Sequence, residues 1–137
     1  MSRMFVGVSR SFFLVLMLAS ATGKLLDMAG FYGIVRTYQM MPEWLIIPGA
    51  WMLTLFELAL GLVLLSPTWH RFVWLLLPLH LFYLMGLTQA LLRGLVIPNC
   101  GCFGVYWGRP LTPYTLLEDV VLLALAFALY RLAPKGR

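Results

Sequence analysis

Residues 46–65 read IIPGAWMLTLFELALGLVLL, and this stretch decides the class of the protein. Its only charged side chain is Glu57. An α-helix needs about 20 apolar residues to cross the hydrocarbon core of a bilayer. We therefore predict a membrane-spanning helix over this stretch, with a carboxyl group close to the middle of the membrane.

Three further apolar runs flank this one, at about residues 11–30, 72–92 and 113–132. Of the 137 residues, 62% are hydrophobic and 11% are charged, whereas about 25% of the residues in a soluble domain are charged. So few charged side chains cannot cover a water-facing surface of this size. The sequence predicts an all-α fold, an integral membrane four-helix bundle that forms one domain over residues 1–137, with the lipid bilayer as its first partner.

The first run has a second interpretation. Arg3 and Arg10 precede it, and Ala19-Ser20-Ala21 is similar to a signal-peptidase site, whose cleavage would leave three spans. Small residues also let membrane helices approach closely. We favour the arrangement with four spans.

The positive charges indicate orientation and not nucleic-acid binding. The net charge is +5, but the Lys and Arg residues lie beside the apolar runs and form no cluster with interleaved aromatic residues. One side of the membrane would carry Arg3, Arg10, Arg71, Arg131, Lys135 and Arg137. The other side would carry Lys24, Arg36, Arg93 and Arg109. Because Lys and Arg favour the cytoplasmic side, we expect a plasma (inner) membrane protein with both termini in the cytoplasm and the loop 93–112 in the periplasm.

That loop holds the two cysteines of the chain, in Pro98-Asn99-Cys100-Gly101-Cys102-Phe103-Gly104. The periplasm is oxidising, so the pair could form a disulfide there. A ring this small would be strained, and strained, exposed disulfides exchange readily. We therefore interpret Cys100 and Cys102 as a redox-active pair. A structural staple, two free thiols without a role, and a metal site completed by His80 are the alternatives, and we predict no metal.

Three ionisable residues lie inside the apolar runs, namely Lys24, Glu57 and His80. Ionisable groups at membrane depth are costly and usually face the interior of a bundle. We predict an ion pair between Lys24 and Glu57, with Asp27 as a competing partner for the lysine. The pair would either orient two helices or act in proton movement or substrate contact. His80 is interpreted as a hydrogen-bonded helix residue, and Glu118 and Asp119 as residues of the lipid headgroup layer.

The order of these residues resembles the methylamine utilisation protein MauE family, within the wider DoxX-like group of membrane proteins. The resemblance rests on Gly23-Lys24-Leu25, Met41-Pro42, Glu57 with Gly61, Arg93-Gly94 and Cys100-Gly101-Cys102-Phe103-Gly104. It implies a four-helix membrane bundle tied to periplasmic redox maturation, such as that of the disulfide-rich small subunit of methylamine dehydrogenase. It also implies that Cys100 and Cys102 are the family's cysteine pair.

We accordingly hypothesise a component of thiol–disulfide exchange. Cys100 and Cys102 would exchange with a periplasmic thioredoxin-like protein or a client protein, and the flanking Arg93 and Arg109 would lower the pKa of a thiol. A membrane quinone is the candidate cofactor, and a homodimer is a candidate assembly. The alternatives are an assembly or anchoring subunit with a structural disulfide, and a small transporter that uses Lys24, Glu57 and His80.

Overall fold

The computed structural model describes residues 1–134, so Lys135 and Arg137, two of the predicted topology charges, lie outside the described residues. Within the described part the chain forms five α-helices, and no strand is present there. They are α1 (Ser2–Leu25), α2 (Met28–Thr37), α3 (Glu43–Leu65), α4 (Leu76–Leu92) and α5 (Pro113–Leu132). Two short 3-10 turns, Trp69–Arg71 and Val73–Leu75, connect α3 to α4. The predicted all-α membrane bundle is confirmed, with five α-helices in place of four.

The additional helix arises where the first apolar run was expected to continue. The run at 11–30 is divided, because α1 begins at Ser2 and ends at Leu25, and a new helix begins at Met28. Asp27 causes the division: its carboxylate Oδ1 accepts a hydrogen bond from the backbone N–H of Gly30 at 2.8 Å, which caps α2. Asp27 is thus occupied as a cap, and it does not pair with Lys24.

Among the described residues, three helical stretches are long and apolar enough to cross a membrane: Ser2–Leu25, Glu43–Leu65 and Val73–Leu92. Their outward faces are apolar as well; Met52, Leu55 and Leu62 on α3, for example, are all exposed. Such faces suit lipid and not water. The helix α5 has 20 residues and carries Glu118 and Asp119. Its role as a fourth span stays a prediction.

The helices α1 and α3 form the most extensive contact of the bundle. Gly61 permits the close approach, because a Cβ atom at this position would lie 2.8 Å from a methyl carbon of Leu18. At one end of the pair the Arg10 guanidinium donates to the backbone oxygens of Leu64 at 2.7 Å and Leu65 at 3.2 Å. These carbonyls belong to the last turn of α3, where a cation satisfies the unpaired acceptors of a helix end. The two helices therefore run antiparallel.

The main apolar core occupies this same end of the bundle, where α4 and α5 complete it. Its fully buried members include Phe13, Leu64, Leu76 and Leu129. The segment between α4 and α5, which contains both cysteines, lies at the opposite end, near the end of α1 and the beginning of α2.

Candidate functional site

The cysteine segment between α4 and α5 is a closed loop. The backbone N–H of Cys100 donates to the carbonyl of Arg109 at 2.7 Å, and that of Leu111 donates to Ile97 at 2.9 Å. The side chain of Asn99 spans the motif, since it accepts from the Gly101 N–H at 2.9 Å and donates to the Gly104 carbonyl at 3.2 Å. These bonds hold the two cysteines in one defined turn.

The glycines of the motif are required by its geometry. Gly101 and Gly104 have φ angles of +80° and +74°, in the left-handed region that other residues rarely adopt. Gly104 also lies directly on α1: a Cβ atom there would be 2.3 Å from the carbonyl oxygen of Gly23. A Cβ atom on Gly23 would in turn be 2.1 Å from the carbonyl oxygen of Phe103. The loop and α1 are thus in backbone contact that only two glycines allow.

Two side chains from outside the loop hold the cysteine backbone. The hydroxyl of Tyr38, after the end of α2, donates to the Cys100 carbonyl at 2.7 Å. The hydroxyl of Ser20, on α1, donates to the Cys102 carbonyl at 2.5 Å. The loop is therefore attached to both α1 and the α2 end, and each cysteine is positioned through its own carbonyl group.

The two cysteines are free thiols whose Sγ atoms lie 3.4 Å apart. A disulfide bond is about 2.05 Å long, so a small movement of either side chain would bring the sulfurs into bonding distance. Cys100 is buried and Cys102 is partly buried. The structure therefore places a dithiol, and not a formed disulfide, in this loop.

The surroundings make the two thiols unequal. The hydrogen bond with the Cys102 thiol is the largest influence on Cys100, and it lowers the pKa of Cys100 to about 6, with a further contribution from the positive charge of Arg109. The same sulfur pairing raises the pKa of Cys102 well above its usual range, and burial raises it further. Cys100 is therefore the thiolate, which is the nucleophilic form, and Cys102 keeps its proton.

A buried polar cluster lies beneath the loop, and we call Ser20, Lys24, Glu57 and Tyr83 the ion-pair cluster. The Lys24 ammonium donates to the Glu57 carboxylate Oε2 at 2.5 Å, to the Tyr83 hydroxyl at 2.7 Å and to the Ser20 hydroxyl at 3.0 Å. The Tyr83 hydroxyl donates to the other oxygen of Glu57. Both Lys24 and Glu57 are fully buried. The predicted Lys24–Glu57 pair is confirmed.

Ser20 connects this cluster to the cysteines. Its hydroxyl lies 3.1 Å from the Glu57 carboxylate and 2.5 Å from the carbonyl oxygen of Cys102. Ser20 and Lys24 are four residues apart and therefore lie on the same face of α1. A change in the charge of the cluster would thus reach the cysteine loop through one side chain.

The structure places the three other predicted site residues, His80, Arg109 and Arg93, in different surroundings. The ring nitrogen Nδ1 of His80 lies 2.8 Å from the Leu76 carbonyl, as expected for a hydrogen-bonded helix residue. Arg109 lies beside the cysteines and pairs with Glu118. Arg93 is directed elsewhere, because its guanidinium contacts the Gln39 backbone and side-chain oxygens, each at 3.1 Å.

Three residues of the site were not predicted from the sequence, and a fourth is more buried than its neighbour. Ser20, Tyr38 and Tyr83 were not identified as site residues, although Ser20 and Tyr83 each lie one turn from an ionisable residue. Asp119 was expected to lie in the headgroup layer together with Glu118; its depth in the membrane stays a prediction, but its side chain is buried within the bundle. It is 7% exposed, because its position on α5 faces inward, whereas its neighbour Glu118 is exposed.

Two largely apolar cavities meet at the cysteines. One, of about 460 Å³, lies between α1, α4 and α5. The other, of about 500 Å³, lies between α2, α3 and α4. Cys100, Cys102 and Tyr83 contribute to the walls of both. The sulfurs are therefore reached through apolar space within the bundle. No cluster of three or more His, Cys, Asp or Glu side chains suited to a metal ion occurs in residues 1–134.

Comparison with known proteins gives one consistent family. The model of the family described as "Methylamine utilisation protein MauE" matches residues 2–132. A protein of Methylorubrum extorquens named "Methylamine utilization protein MauE" is 31% identical over 127 residues, which cover 91% of this chain and 68% of the relative. Proteins of the same name from Paracoccus denitrificans and Paracoccus versutus are 32% and 30% identical.

Those two alignments cover 88% and 93% of this chain but 65% and 69% of the relatives. The chain thus spans about two thirds of the length of the curated relatives that it matches. No solved structure matches the chain significantly.

Proposed function

The chain belongs to the methylamine utilisation protein MauE family, and from this premise we propose that it is a membrane component of thiol–disulfide exchange during methylamine utilisation. The relatives are named for methylamine utilization. The proposal adds a chemical role, the oxidation or reduction of thiols in a partner protein by the pair Cys100 and Cys102. The maturation of a methylamine dehydrogenase small subunit is the process in which we place it.

The observation that carries the proposal is the asymmetric dithiol itself. Two sulfurs 3.4 Å apart lie in a loop that has two left-handed glycines and backbone contact with α1. A disulfide between them would close a ring of only three residues, and its stabilisation by loop closure would be small. A pair of this kind is poor as a staple and well suited to exchange.

The exchange proceeds by two displacements. The Cys100 thiolate attacks one sulfur of a partner disulfide, and the other partner sulfur leaves as a thiolate, so that a mixed disulfide forms. Cys102 then loses its proton and attacks the Cys100 sulfur. The bond to the partner breaks, the partner leaves fully reduced, and the pair becomes a disulfide. Oxidation of a partner dithiol follows the same steps in reverse.

When the pair oxidises a partner dithiol, it is itself left as a dithiol, and it must pass two electrons to another molecule before the next cycle, since the chain has two cysteines in total. A thioredoxin-like protein is one such partner. A lipid-soluble quinone is another, and the residues present fit it: the cavities of about 460 Å³ and 500 Å³ are apolar, and both reach the sulfurs. A bound quinone would accept two electrons and two protons from the dithiol.

We place the cysteine loop on the periplasmic face of the inner membrane and both termini in the cytoplasm. The support is the bias of Lys and Arg residues described above. The periplasm is also where partner disulfides form and persist. A homodimer and a fourth span formed by α5 belong to the same proposal.

A second candidate is an assembly or anchoring subunit whose cysteine loop only shapes a docking surface. The backbone attachments of the loop through Ser20 and Tyr38 favour it, because they would hold such a surface rigid without any chemistry. The two functions differ in what Cys102→Ser does. An anchoring subunit would still reach its complex, whereas an exchange component would lose its activity.

Trapping of thiols with a maleimide of high mass in intact cells tests the proposal. The exchange function predicts that Cys100 and Cys102 shift together between a labelled and a protected state when the partner is deleted or the growth conditions change. If the labelled fraction stays constant under every condition, the exchange function is excluded. The Cys100→Ser variant serves as the control, because its single remaining thiol cannot form the internal disulfide.

A further inference from the structure

Asp119 is a buried carboxylate that lies outside the ion-pair cluster. It lies in the second turn of α5, is 7% exposed, and its Oδ2 atom has no hydrogen-bond partner. Within residues 1–134, this Oδ2 atom is the one buried side-chain N or O atom without a hydrogen-bond partner. Buried polar groups without a partner lower the stability of a fold, and a charged group lowers it more than a neutral one. A side chain this costly invites a functional explanation.

The position of Asp119 connects it with the cysteines. Its side chain lines the cavity of about 460 Å³ between α1, α4 and α5, together with both Cys100 and Cys102. The pKa of Cys102 is raised first by its pairing with Cys100 and by burial, and the negative charge of Asp119 raises it further. The carboxylate and both thiols thus line one cavity.

The exchange steps need a proton acceptor at this place. Cys102 keeps its proton in the resting dithiol, and it must lose that proton before it can attack the mixed disulfide. The cavity walls are largely apolar. Glu57 is not free for this task, because its oxygens already accept from Lys24 and Tyr83. The remaining acid on this cavity, Glu118, is exposed and paired with Arg109.

We infer that Asp119 is the proton acceptor of Cys102 in the resolving step, and the proton donor in the reverse step. The inference rests on the proposed thiol–disulfide exchange. In the forward direction the S–H bond of Cys102 breaks and the proton passes to the Asp119 carboxylate. The new thiolate attacks the Cys100 sulfur, the bond from Cys100 to the partner breaks, and the partner leaves with the electron pair as a thiolate. In reverse, Cys102 leaves as a thiolate and takes the proton back.

Other titratable and charged groups face the same cavity, and each of them stays in place in the variants below. They come from α3, α4, α5 and the cysteine loop, and they are Glu57, His80, Tyr83, Glu118, Cys100 and Arg109. The ammonium of Lys24, on α1, lies just behind Glu57 and Tyr83.

A two-phase reaction with a small apolar disulfide tests the inference. The reduced full-length protein in detergent is mixed with 2,2′-dipyridyl disulfide, and the released pyridine-2-thione is followed by absorbance. The first release reports the attack by Cys100, and the second reports the resolution by Cys102. Asp119→Asn is expected to slow the second phase by about 100-fold or more at neutral pH, as for the loss of a general base, with the first phase unchanged.

The difference is expected to shrink as the pH rises, because hydroxide then removes the Cys102 proton directly. Asp119→Glu should restore a large part of the second phase, and Glu118→Gln, the matched control in the adjacent position, should leave the second phase unchanged. An Asp119→Asn second phase equal to that of the unaltered protein overturns the inference. The first phase shows that the variant has kept its loop. If the unaltered protein releases no second thione at all, the proposed exchange itself fails, which is a different result.

Discussion

The two ends of the bundle are built on different principles. At the end where α3 finishes, Phe13, Leu64, Leu76 and Leu129 are fully buried and form one apolar core. At the cysteine end, the fully buried side chains include Lys24 and Glu57, and the two cavities meet at the thiols. One end is filled with apolar side chains and the other contains charge and space.

This difference indicates that the apolar end contributes most of the stability of the bundle, whereas the cysteine end contains the reactive groups. Close packing favours a single rigid arrangement, and it leaves no room for a reagent. A buried ion pair is weak support for stability, since desolvation offsets most of its attraction. The cysteine end is therefore less closely packed than the apolar end. Its dithiol is held in a fixed position, and apolar reagents can reach it through the cavities.

The largest effect is expected from breaking the ion-pair cluster on one side. Lys24→Met leaves the Glu57 carboxylate buried without its cation, which should lower the free energy of unfolding by about 3–5 kcal/mol. The loss is measured by denaturant titration in detergent micelles. The double variant Lys24→Met with Glu57→Leu should recover much of it, because no unpaired charge remains.

The exposed pair Arg36–Glu43 offers the matched control. Its atoms are 2.5 Å apart, like those of Lys24 and Glu57, but the pair faces outward. Arg36→Met should leave the unfolding transition unchanged, since exposed ion pairs contribute little. If Arg36→Met and Lys24→Met had equal effects, burial would not distinguish the two regions.

A substitution at the apolar end should change the stability of the protein but not the reactivity of its thiols. Leu64→Ala removes a fully buried side chain and should cost about 2–4 kcal/mol, as for similar cavity-forming substitutions. The alkylation rate of Cys100 should stay unchanged, because Leu64 lies at the end of the bundle opposite the cysteine loop. A strongly altered rate in this variant would mean that the two ends are coupled and not separate.

A smaller loss of stability, with a large loss of exchange, is expected from Gly104→Ala. The added Cβ atom would meet the Gly23 carbonyl, and the left-handed backbone would be strained by about 1–3 kcal/mol. The loop should therefore leave α1, and the thiols should lose their fixed arrangement. Denaturant titration and the rate of dithiol oxidation measure the two effects.

Gly33→Ala is the control for this substitution. A Cβ atom at Gly33 would meet nothing within 4 Å, and alanine favours a helix such as α2. Both the stability and the oxidation rate should stay equal to or slightly above those of the unaltered protein. A Gly104→Ala protein with normal oxidation would show that loop docking is not needed for the chemistry.

The smallest effect concerns the pH dependence of Cys100. With a pKa of about 6, Cys100 is a thiolate at neutral pH, and protonation removes its reactivity as the pH falls through 6. Its alkylation rate by iodoacetamide should therefore level off above about pH 7 and decrease about tenfold per unit below pH 6. A rate that continues to rise to pH 9 would show an ordinary thiol. Arg109→Gln should move the curve modestly to higher pH, because it removes a positive charge near Cys100.

The positions of most of the long helices could be predicted from the sequence, because they follow from the hydrophobic runs. The bounds of the later runs agree with Glu43–Leu65, Val73–Leu92 and Pro113–Leu132 within a few residues. The first run was misjudged because the Asp27 cap is a local hydrogen bond that an apolar average does not detect. The ion pair was predictable because two opposite charges inside a membrane have few other partners.

The contacts between distant segments were not predictable in the same way. Ser20 and Tyr38 are ordinary residues until the loop places a cysteine carbonyl beside each of them. Asp119 and Glu118 are adjacent and chemically alike, and only the packing of α5 decides which one is buried. Arg93 lies near the cysteines in the chain, but its side chain contacts the α2–α3 connection instead.

The most direct test of the central claim is the capture of a mixed disulfide in cells. A tagged Cys102→Ser protein cannot resolve the bond that Cys100 makes, so we expect a covalent complex with a partner on a non-reducing gel, and this complex should disappear on reduction. The Cys100→Ser protein should give much less of it. The absence of any reducible complex from the Cys102→Ser protein, at normal expression and under oxidising and reducing growth conditions alike, would contradict the assignment of this loop to thiol–disulfide exchange.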